Sequence, residues 1–110
     1  MTVVGHNTAT IRESLLEKAF ELGEKFITAS KEHYDPGIIG PFCLQTCIDK
    51  DMDYYIYDVA PRLGGGTNVH VSVGHPYGNA TWRKPVSSGR RIAMELRRAV
   101  EQDRLDEVLT

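Results

Sequence analysis

The first third of the chain has apolar residues at three- and four-residue spacing, the pattern of a helix with one buried face. This stripe consists of Leu15, Ala19, Leu22 and Phe26. Thr10 and Glu13 stand at the spacing of a capping box, so the pattern predicts a helix that begins near Thr10. The helix should end before Pro36, because the residue ahead of a proline avoids the helical region.

Two alternating segments rich in β-branched and aromatic residues follow, and they predict a hairpin. The first strand runs roughly from Ile38 to Asp49, and the second runs roughly from Tyr54 to Ala60. A two-residue loop at Asp51-Met52 would place Gln45 opposite Asp58. The polar connection between the strands is consistent with such a tight turn.

This register predicts two unlike faces for the hairpin. The face expected against the helix carries Phe42, Leu44, Ile48, Tyr55, Tyr57 and Val59. The more polar face carries Cys43, Gln45, Cys47, Ile56, Asp58 and Ala60. A carboxylate in mid-strand is disfavoured, so Asp58 is a candidate site residue. The alternatives are a solvated Asp on an edge strand, or one paired with Arg62.

The second half of the chain predicts one more strand and one more helix. Val69–Val73 alternates like a short strand, with loops on both sides of it. A last helix is predicted from Ser87 or Ser88 to near Asp103. The order helix, strand, strand, strand, helix predicts one α+β domain over residues 1–110, an antiparallel sheet with helices packed on one face.

The composition narrows the class of protein without indicating a chemistry. Of 110 residues, 41% are hydrophobic and 25% are charged, which is typical of a small globular domain and not of a disordered segment. No apolar run is long enough to span a membrane, and a net charge of −2 argues against a basic nucleic-acid module. Two cysteines make no disulfide framework. A cytoplasmic location is therefore expected, with neither nucleic acid nor membrane as partner.

A glycine-rich loop over residues 64–68 is the first candidate phosphate-binding segment. Gly64, Gly65, Gly66 and Thr67 precede Asn68, but the loop lacks the Gly-Lys-Ser/Thr ending of a Walker A motif. Its backbone N–H groups could form an anion-binding nest, with Asn68 as a side-chain ligand. The alternative is a flexible turn.

A basic segment, residues 83–98, is the second candidate. It contains six Arg or Lys residues and one acid, Glu95. Ser87 and Arg90 at the start of the last helix suit a phosphate, whereas a solvated helix face is the alternative. A zinc site formed by cysteines and histidines is a third possibility, but buried thiols are the ordinary interpretation of Cys43 and Cys47.

Several motifs occur in one order along the whole chain and resemble a known family. They are Arg12-Glu13-Ser14-Leu15-Leu16-Glu17-Lys18, Pro36-Gly37-Ile38-Ile39-Gly40-Pro41-Phe42-Cys43-Leu44, the segment from Asp58 to Asn68, Gly74-His75-Pro76-Tyr77 and Gly89-Arg90-Arg91-Ile92-Ala93. The series resembles the C-terminal region of the archaeal formate-dependent AICAR-nucleotide ligases, the FAICAR synthetases of the PurP type. These resemble ATP-grasp enzymes, which would use ATP to activate formate and then formylate AICAR nucleotide in purine biosynthesis.

The resemblance implies a set of site residues and cofactors. ATP and Mg²⁺ are implied, with Gln45, Asp58 and Asn68 as metal ligands. Arg62 would stabilise the transferred phosphoryl group, and Asn68 would also take part in catalysis. The backbone over residues 64–67 would border the acyl phosphate, and Arg90 would bind the 5′-phosphate of the nucleotide.

The chain departs from the family pattern in two ways. The resemblance implies Glu at both strand positions of the metal site, where this chain has Gln45 and Asp58. The chain also lacks a preceding ATP-grasp portion, so we expect it to be inactive alone, and to be a homo-oligomer or a part of a longer enzyme. The alternative function is a non-catalytic nucleotide-binding or oligomerisation module derived from the family.

Overall fold

The computed structural model describes residues 2, 4–70 and 72–109, with the side chain of Asn68 excluded. The helices are α1 (Glu13–His33), α2 (Pro76–Trp82) and α3 (Ser88–Glu101), and the strands are β1 (Cys43–Ile48) and β2 (Tyr54–Ala60). Two 3-10 helices cover Gly65–His70 and Leu105–Glu107. The predicted α+β class is confirmed. Within the described residues, no helix is long and apolar enough to cross a bilayer.

The chain divides into two compact units. The first is Thr8–Gly64, and the second joins Met1–Asn7 to Gly65–Thr110. The first unit contains α1 and the hairpin, and the second contains α2, α3 and both 3-10 helices.

Helix α1 begins later than the capping box predicts. Arg12 occupies the N-cap in an extended conformation, without a side-chain cap, so the predicted start at Thr10 is wrong. Glu13 in the first turn supplies a negative charge to the positive end of the helix dipole instead. The predicted end is confirmed, since the helix closes at His33, and the Tyr34 N–H donates to the Ser30 carbonyl at 2.9 Å.

The hairpin loop has three residues, not two. Asp49 and Asp53 close it, because the Asp49 N–H donates to the Asp53 carbonyl at 3.1 Å. Met52 adopts a left-handed conformation, with φ of 65°. The Asp49 carboxylate accepts from the N–H groups of Asp51 at 2.9 Å and Asp53 at 3.0 Å. These two bonds hold the turn, so the predicted loop at Asp51-Met52 is wrong by one residue.

A β-bulge at Tyr57 compensates for the extra loop residue. Thr46 pairs with Ile56, whereas Gln45 pairs with Asp58, so Tyr57 has no partner residue on β1. The predicted Gln45–Asp58 pairing is therefore confirmed, but the faces change on the loop side of the bulge. Tyr55 and Ile56 exchange faces relative to the prediction, and Tyr57 lies on the bulge with 65% of its surface exposed.

Helix α1 packs on the apolar face of the hairpin. The Tyr54 hydroxyl donates to the Leu15 carbonyl at 3.2 Å, and Leu15 is buried. Phe26 and Phe42 contact each other with ring centroids 4.8 Å apart. Lys18 forms a 3.0 Å ion pair with Asp53 beside the turn. We call the opposite face of the hairpin, on which Asp58 is exposed and Gln45 is half-buried, the open face.

The second unit contains no strand in its described residues. The segment predicted as a strand, Val69–Val73, lies partly in the first 3-10 helix and partly in a turn, so that prediction is wrong (Val71 lies outside the described residues). The loop predicted to follow it contains the start of α2. His75 caps this helix by accepting from the Tyr77 N–H at 3.3 Å, and Pro76 occupies its first turn.

The Asn79 side chain ties the two ends of this segment together. Its amide donates to the Val73 carbonyl at 2.9 Å, and its oxygen accepts from the Val86 N–H at 2.9 Å. Gly74 has φ of 76°, and a Cβ there would collide with Asn79 and with the Val86 carbonyl. Glycine is thus required by both conformation and space.

Helix α3 begins as predicted, since the Ser87 hydroxyl accepts from the Arg90 N–H at 3.2 Å. The apolar residues of this helix are only partly buried. Ala99 is buried, whereas Ile92, Leu96 and Val100 remain 38–60% exposed.

Gly64 allows the loop after β2 to lie against β1, which gives a direct test of packing. A Cβ at this position would stand 2.6 Å from the Cys43 Sγ. We predict that Gly64→Ala lowers the free energy of unfolding by about 1–3 kcal/mol, measured by urea denaturation. Gly78→Ala is the matched control. Its Cβ meets nothing within 4 Å, so that change should raise stability by roughly 0.5–1 kcal/mol.

A second substitution tests the cause of the Gly64 effect. Cys43→Ala removes the sulfur and leaves a Cβ contact of 3.2 Å, so the Gly64→Ala/Cys43→Ala variant should recover part of the loss. Strictly additive effects of the two changes would contradict the proposed collision.

The Asp49 turn predicts a pH dependence of hairpin stability. The Asp53 backbone N–H, aided by that of Asp51, the Tyr55 hydroxyl and Lys18, lowers the pKa of the Asp49 carboxyl below 3.8. Because the folded pKa is depressed, this stabilisation is complete above the unfolded pKa and is lost as pH falls through the folded pKa. Thermal unfolding measured from about pH 6 to about pH 2 should show the loss.

Asp49→Asn is the variant that isolates this contribution. Its amide oxygen can still accept both turn N–H groups, but the group does not titrate. Its melting temperature should therefore fall less steeply in acid than that of the parent chain. Asp51→Asn, at the exposed neighbouring position, should retain the parent profile, and equal profiles for all three proteins would disprove the assignment.

Candidate metal and phosphate site

The open face of the hairpin brings together two of the predicted metal ligands. The Gln45 Nε2 atom donates to the Asp58 Oδ2 atom at 2.7 Å. Gln45 is half-buried, and Asp58 is exposed. Asp58 is thus neither buried nor paired with Arg62, and its partner is the facing strand residue. The metal-binding role of this pair stays a prediction.

The chemistry of the pair fits a hard divalent cation that is shared with phosphate. A carboxylate and an amide oxygen are ligands of the kind Mg²⁺ accepts, and Mg²⁺ commonly completes its shell with water and phosphate oxygens. Across the described residues, no group of three or more His, Cys, Asp or Glu residues is arranged to hold a metal. Zinc therefore has no ligand cluster in that part of the chain, and Cys43 and Cys47 are free thiols. The side chain of Asn68, the third predicted ligand, lies outside what the structure describes.

Arg62 and Gly64 follow the pair at the end of β2. The Arg62 Nη1 atom donates to the Leu63 carbonyl at 2.8 Å, so the exposed guanidinium lies over its own loop. Gly64 fits against Cys43, which is a structural reason for the glycine. A phosphate-side role of these two residues stays a prediction.

Gly65, Gly66 and Thr67 form the start of the first 3-10 helix instead of an open loop. Neither glycine has a positive φ, so they do not form a nest of alternating right- and left-handed residues. A Cβ on Gly65 would lie 3.4 Å from the His6 Nε2 atom. His6 is thus a neighbour of this loop, whose predicted contact with an acyl phosphate remains untested.

The start of α3 borders a groove lined by residues of the basic segment. Lys84 and several arginines, Arg90 among them, surround an open groove of about 530 Å³ together with Trp82. The Arg91 guanidinium lies 4.9 Å above the Trp82 ring and also pairs with Glu95. The phosphate-binding role predicted for Arg90 stays a prediction. The basic segment predicted the charges, but nothing in the pattern placed Trp82 among them.

Two histidines meet near the start of α2. The rings of His70 and His75 are edge to face, with centroids 5.0 Å apart. Burial, and secondarily the neighbouring His70, lowers the pKa of His75 below 6.5. The neutral ring suits its capping role, because the His75 Nδ1 atom accepts from the Tyr77 N–H.

The architecture defines an α+β unit with an amide–carboxylate pair on the open face of a hairpin. The sequence model of a family described as a domain of unknown function, DUF1297, matches residues 1–110. The chain therefore belongs to this family.

Curated relatives agree with the predicted resemblance. A 5-formaminoimidazole-4-carboxamide-1-(beta)-D-ribofuranosyl 5′-monophosphate synthetase from Methanobrevibacter smithii is 39% identical over 108 residues, covering 98% of this chain. A synthetase of the same name from Thermococcus kodakarensis is 45% identical over 112 residues, covering 99% of this chain. The chain spans 30% and 32% of these two relatives, or about a third of their length.

A solved structure confirms the fold. The crystal structure of an IMP biosynthesis protein PurP from Thermococcus kodakaraensis matches with a TM-score of 0.83 and 40% sequence identity. The match covers 99% of this chain and 35% of that protein. The predicted resemblance to the FAICAR synthetases is thereby confirmed, and the match covers nearly the whole of this chain.

Proposed function

We propose that this chain forms the metal- and phosphate-side part of an ATP-dependent carbon–nitrogen ligase that formylates AICAR nucleotide with formate. The observation that carries the proposal is the 2.7 Å pairing of Gln45 with Asp58 on the open face of the hairpin. The names of the relatives support the nucleotide product, and their length supports a larger enzyme of which this chain is one part.

Asp58 is the main proposed ligand for Mg²⁺-ATP. Its exposed carboxylate offers a charged oxygen, and Gln45 holds it by donating to Oδ2. When bound, Mg²⁺ would neutralise charge on the ATP phosphates. Rotation of the Gln45 amide would present its oxygen instead of its nitrogen, and Asn68 is the further ligand that the resemblance implies.

Arg62 and the backbone over residues 64–67 are proposed to serve the phosphoryl transfer. A formate oxygen attacks the γ-phosphorus, the bond to the ADP oxygen breaks, and formyl phosphate forms. On release of the Leu63 carbonyl, the exposed Arg62 guanidinium would be available to neutralise developing charge on the phosphoryl oxygens. The nucleotide amine next attacks the formyl carbon, phosphate leaves, and the amine loses a proton. Arg90 is the proposed contact for the 5′-phosphate of the nucleotide.

A second candidate function is a non-catalytic module derived from the same family. The observation that favours it is the weak charge of the pair, because Gln45 contributes a neutral oxygen where the resemblance implies a carboxylate. The expected inactivity of the isolated 110-residue chain is shared by both candidates, so it does not separate them. Substitution of Gln45 and Asp58 within a complete enzyme separates the two candidate functions.

We predict the following in a chimera in which this chain replaces the matching third of the Thermococcus kodakarensis synthetase. ATP, formate and AICAR nucleotide should give formylated nucleotide, and Asp58→Asn should lower kcat by at least about 100-fold, because the ligand charge is lost. Asp58→Glu should retain most of the activity. Asp51→Asn, an exposed carboxylate change in the hairpin turn, is the matched control and should change kcat by less than about twofold.

Gln45→Glu in the same chimera separates the two candidate functions. A ligase site should bind the metal more tightly with a second carboxylate, so the Mg²⁺ concentration for half-maximal rate should fall. Binding of Mn²⁺-ATP, followed by paramagnetic relaxation, supplies a readout that does not need turnover. Activity that neither depends on Asp58 nor responds to Gln45→Glu would contradict the metal assignment.

A further inference from the structure

Helix α3 carries a groove lined mainly by cations, and all of its lining residues belong to the second unit. The groove is open, has a volume of about 530 Å³ and runs along α3 from the end of α2. Helical spacing places Met94 and Arg97 on the side of α3 opposite the buried Ala99. We call this surface the basic groove, and its lining includes Trp82, Lys84, Arg91, Met94, Arg97 and Arg98.

The cations of the basic groove are spaced along its length. Arg91 and Arg98 stand seven residues apart on one side of α3, which separates them by about 10 Å along the helix axis. Met94 lies between them, and Arg97 adjoins Arg98. Phosphates of a stacked nucleic-acid strand advance by about 3.4 Å per nucleotide, so this distance corresponds to about three nucleotides. A chain of phosphates can therefore contact both ends of the groove, whereas a single phosphate cannot.

Most of these cations have no acidic partner among the described residues. Lys84, Arg97 and Arg98 are all exposed, and no salt bridge within the described part of the chain involves any of them. Glu101 follows Arg97 by four residues, a spacing that allows an ion pair, but none forms between them. The guanidinium and ammonium groups of these three side chains are thus available to an anion.

An aromatic platform lies at one end of the basic groove. The Arg91 guanidinium stands 4.9 Å from the centroid of the half-buried Trp82 ring. Unpaired nucleobases stack on aromatic rings and on guanidinium planes, and sites for single strands combine such stacking with a basic groove. Inorganic phosphate chains or acidic peptides would contact the cations and leave the platform unused. The platform and the spaced cations together favour a strand with exposed bases.

We infer that the basic groove binds single-stranded nucleic acid. A base stacks on the platform formed by Trp82 and Arg91, and backbone phosphates contact Lys84, Arg97 and Arg98. The net charge of −2, which argues against a basic nucleic-acid module, is an average over the whole chain, whereas this groove is locally basic. None of these residues belongs to the proposed ligase site, so the binding can be tested without turnover.

Binding of an oligothymidylate of about eight nucleotides to the 110-residue chain tests this inference. Trp82 is the only tryptophan of the chain, so stacking should quench its fluorescence until the groove is saturated. An oligouridylate of the same length should also quench it, because its bases are equally exposed. Fluorescence anisotropy of a labelled oligonucleotide gives the affinity. The logarithm of the association constant should fall with the logarithm of the NaCl concentration with a slope of about −2, as expected for about three phosphate contacts.

Two variants separate the phosphate contacts from the stacking contact. Arg97→Ala/Arg98→Ala should weaken binding by about tenfold at about 50 mM NaCl and reduce the salt slope by about 1.4, because two phosphate contacts are lost. Trp82→Leu should weaken binding by about fivefold or more and leave the salt slope unchanged, because it removes stacking without removing charge. The arginine variant changes exposed side chains only, so it tests the inference even where Trp82→Leu fails to fold.

Matched controls change the same chemistry outside the basic groove. Arg12→Ala/Lys50→Ala removes two exposed cations, and Tyr34→Leu removes an exposed aromatic ring. Both should retain the parent affinity within about twofold. Inorganic polyphosphate with a similar number of phosphates should bind more weakly than the oligonucleotide. Trp82→Leu should not change the affinity for polyphosphate, since polyphosphate has no base to stack. Circular dichroism of each variant checks that it is folded.

Four results would contradict the inference. The oligonucleotide could fail to bind at about 50 mM NaCl, or its binding could be unaffected by the changes at Arg97, Arg98 and Trp82. Polyphosphate could bind as tightly as the oligonucleotide, in which case the groove is a general polyanion site. ATP could saturate the groove at the same affinity as the oligonucleotide, in which case the groove is a mononucleotide site and the single-strand proposal is wrong.

Discussion

The β-bulge at Tyr57 is the constraint on which the candidate site depends. The three-residue loop between Asp49 and Asp53, continued without a bulge, would pair Asp58 with Leu44 instead of Gln45. Asp58 would then face α1, where a carboxylate would have to be desolvated against apolar side chains. The bulge restores the register beyond Tyr57 and turns Asp58 to the open face.

The same bulge separates two tasks along β2. Tyr54, on the loop side of the bulge, is held to α1 through the Leu15 carbonyl. Asp58, beyond the bulge, is held by the Gln45 amide on the open face. The bulge thus lets one strand contact α1 through Tyr54 and present the Asp58 carboxylate on the other face of the hairpin. Bulges often redirect side chains in this way.

The pairing of Gln45 with Asp58 could be predicted from sequence, although the loop could not. The prediction was right because the extra loop residue and the bulge change the register in opposite directions. The left-handed residue of a three-residue loop is usually Gly or Asn, whereas this chain has Met52, so no local signal revealed the loop length. The turn is held instead by the Asp49 carboxylate. Because several aspartates lie close together in this segment, the sequence does not indicate which of them accepts from the turn N–H groups.

In the second unit, the alternation of apolar and polar residues predicted a strand that does not form. Val69–Val73 has the period of a strand, but a strand needs a neighbour to satisfy its backbone groups. This chain instead closes the segment locally, since the Gly74 N–H donates to the His70 carbonyl at 2.8 Å. Asn79 then joins Val73 to Val86, a connection of side chain to distant backbone that no periodicity encodes. The Ser87 cap was predictable because it is local.

The candidate site residues lie outside the small set of buried apolar side chains. Among the described residues, only Leu15, Ala60, Val86 and Ala99 are buried apolar side chains. Local hydrogen bonds and pairing therefore stabilise much of the fold. They are the hydrogen bonds of the Asp49 turn, the bulge at Tyr57 and the two hydrogen bonds of the Asn79 side chain. Neither Gln45 nor Asp58 fills core space, so a change between carboxylate and amide, or of one methylene, costs the fold little. Folding therefore places little constraint on the choice of side chain at these two positions.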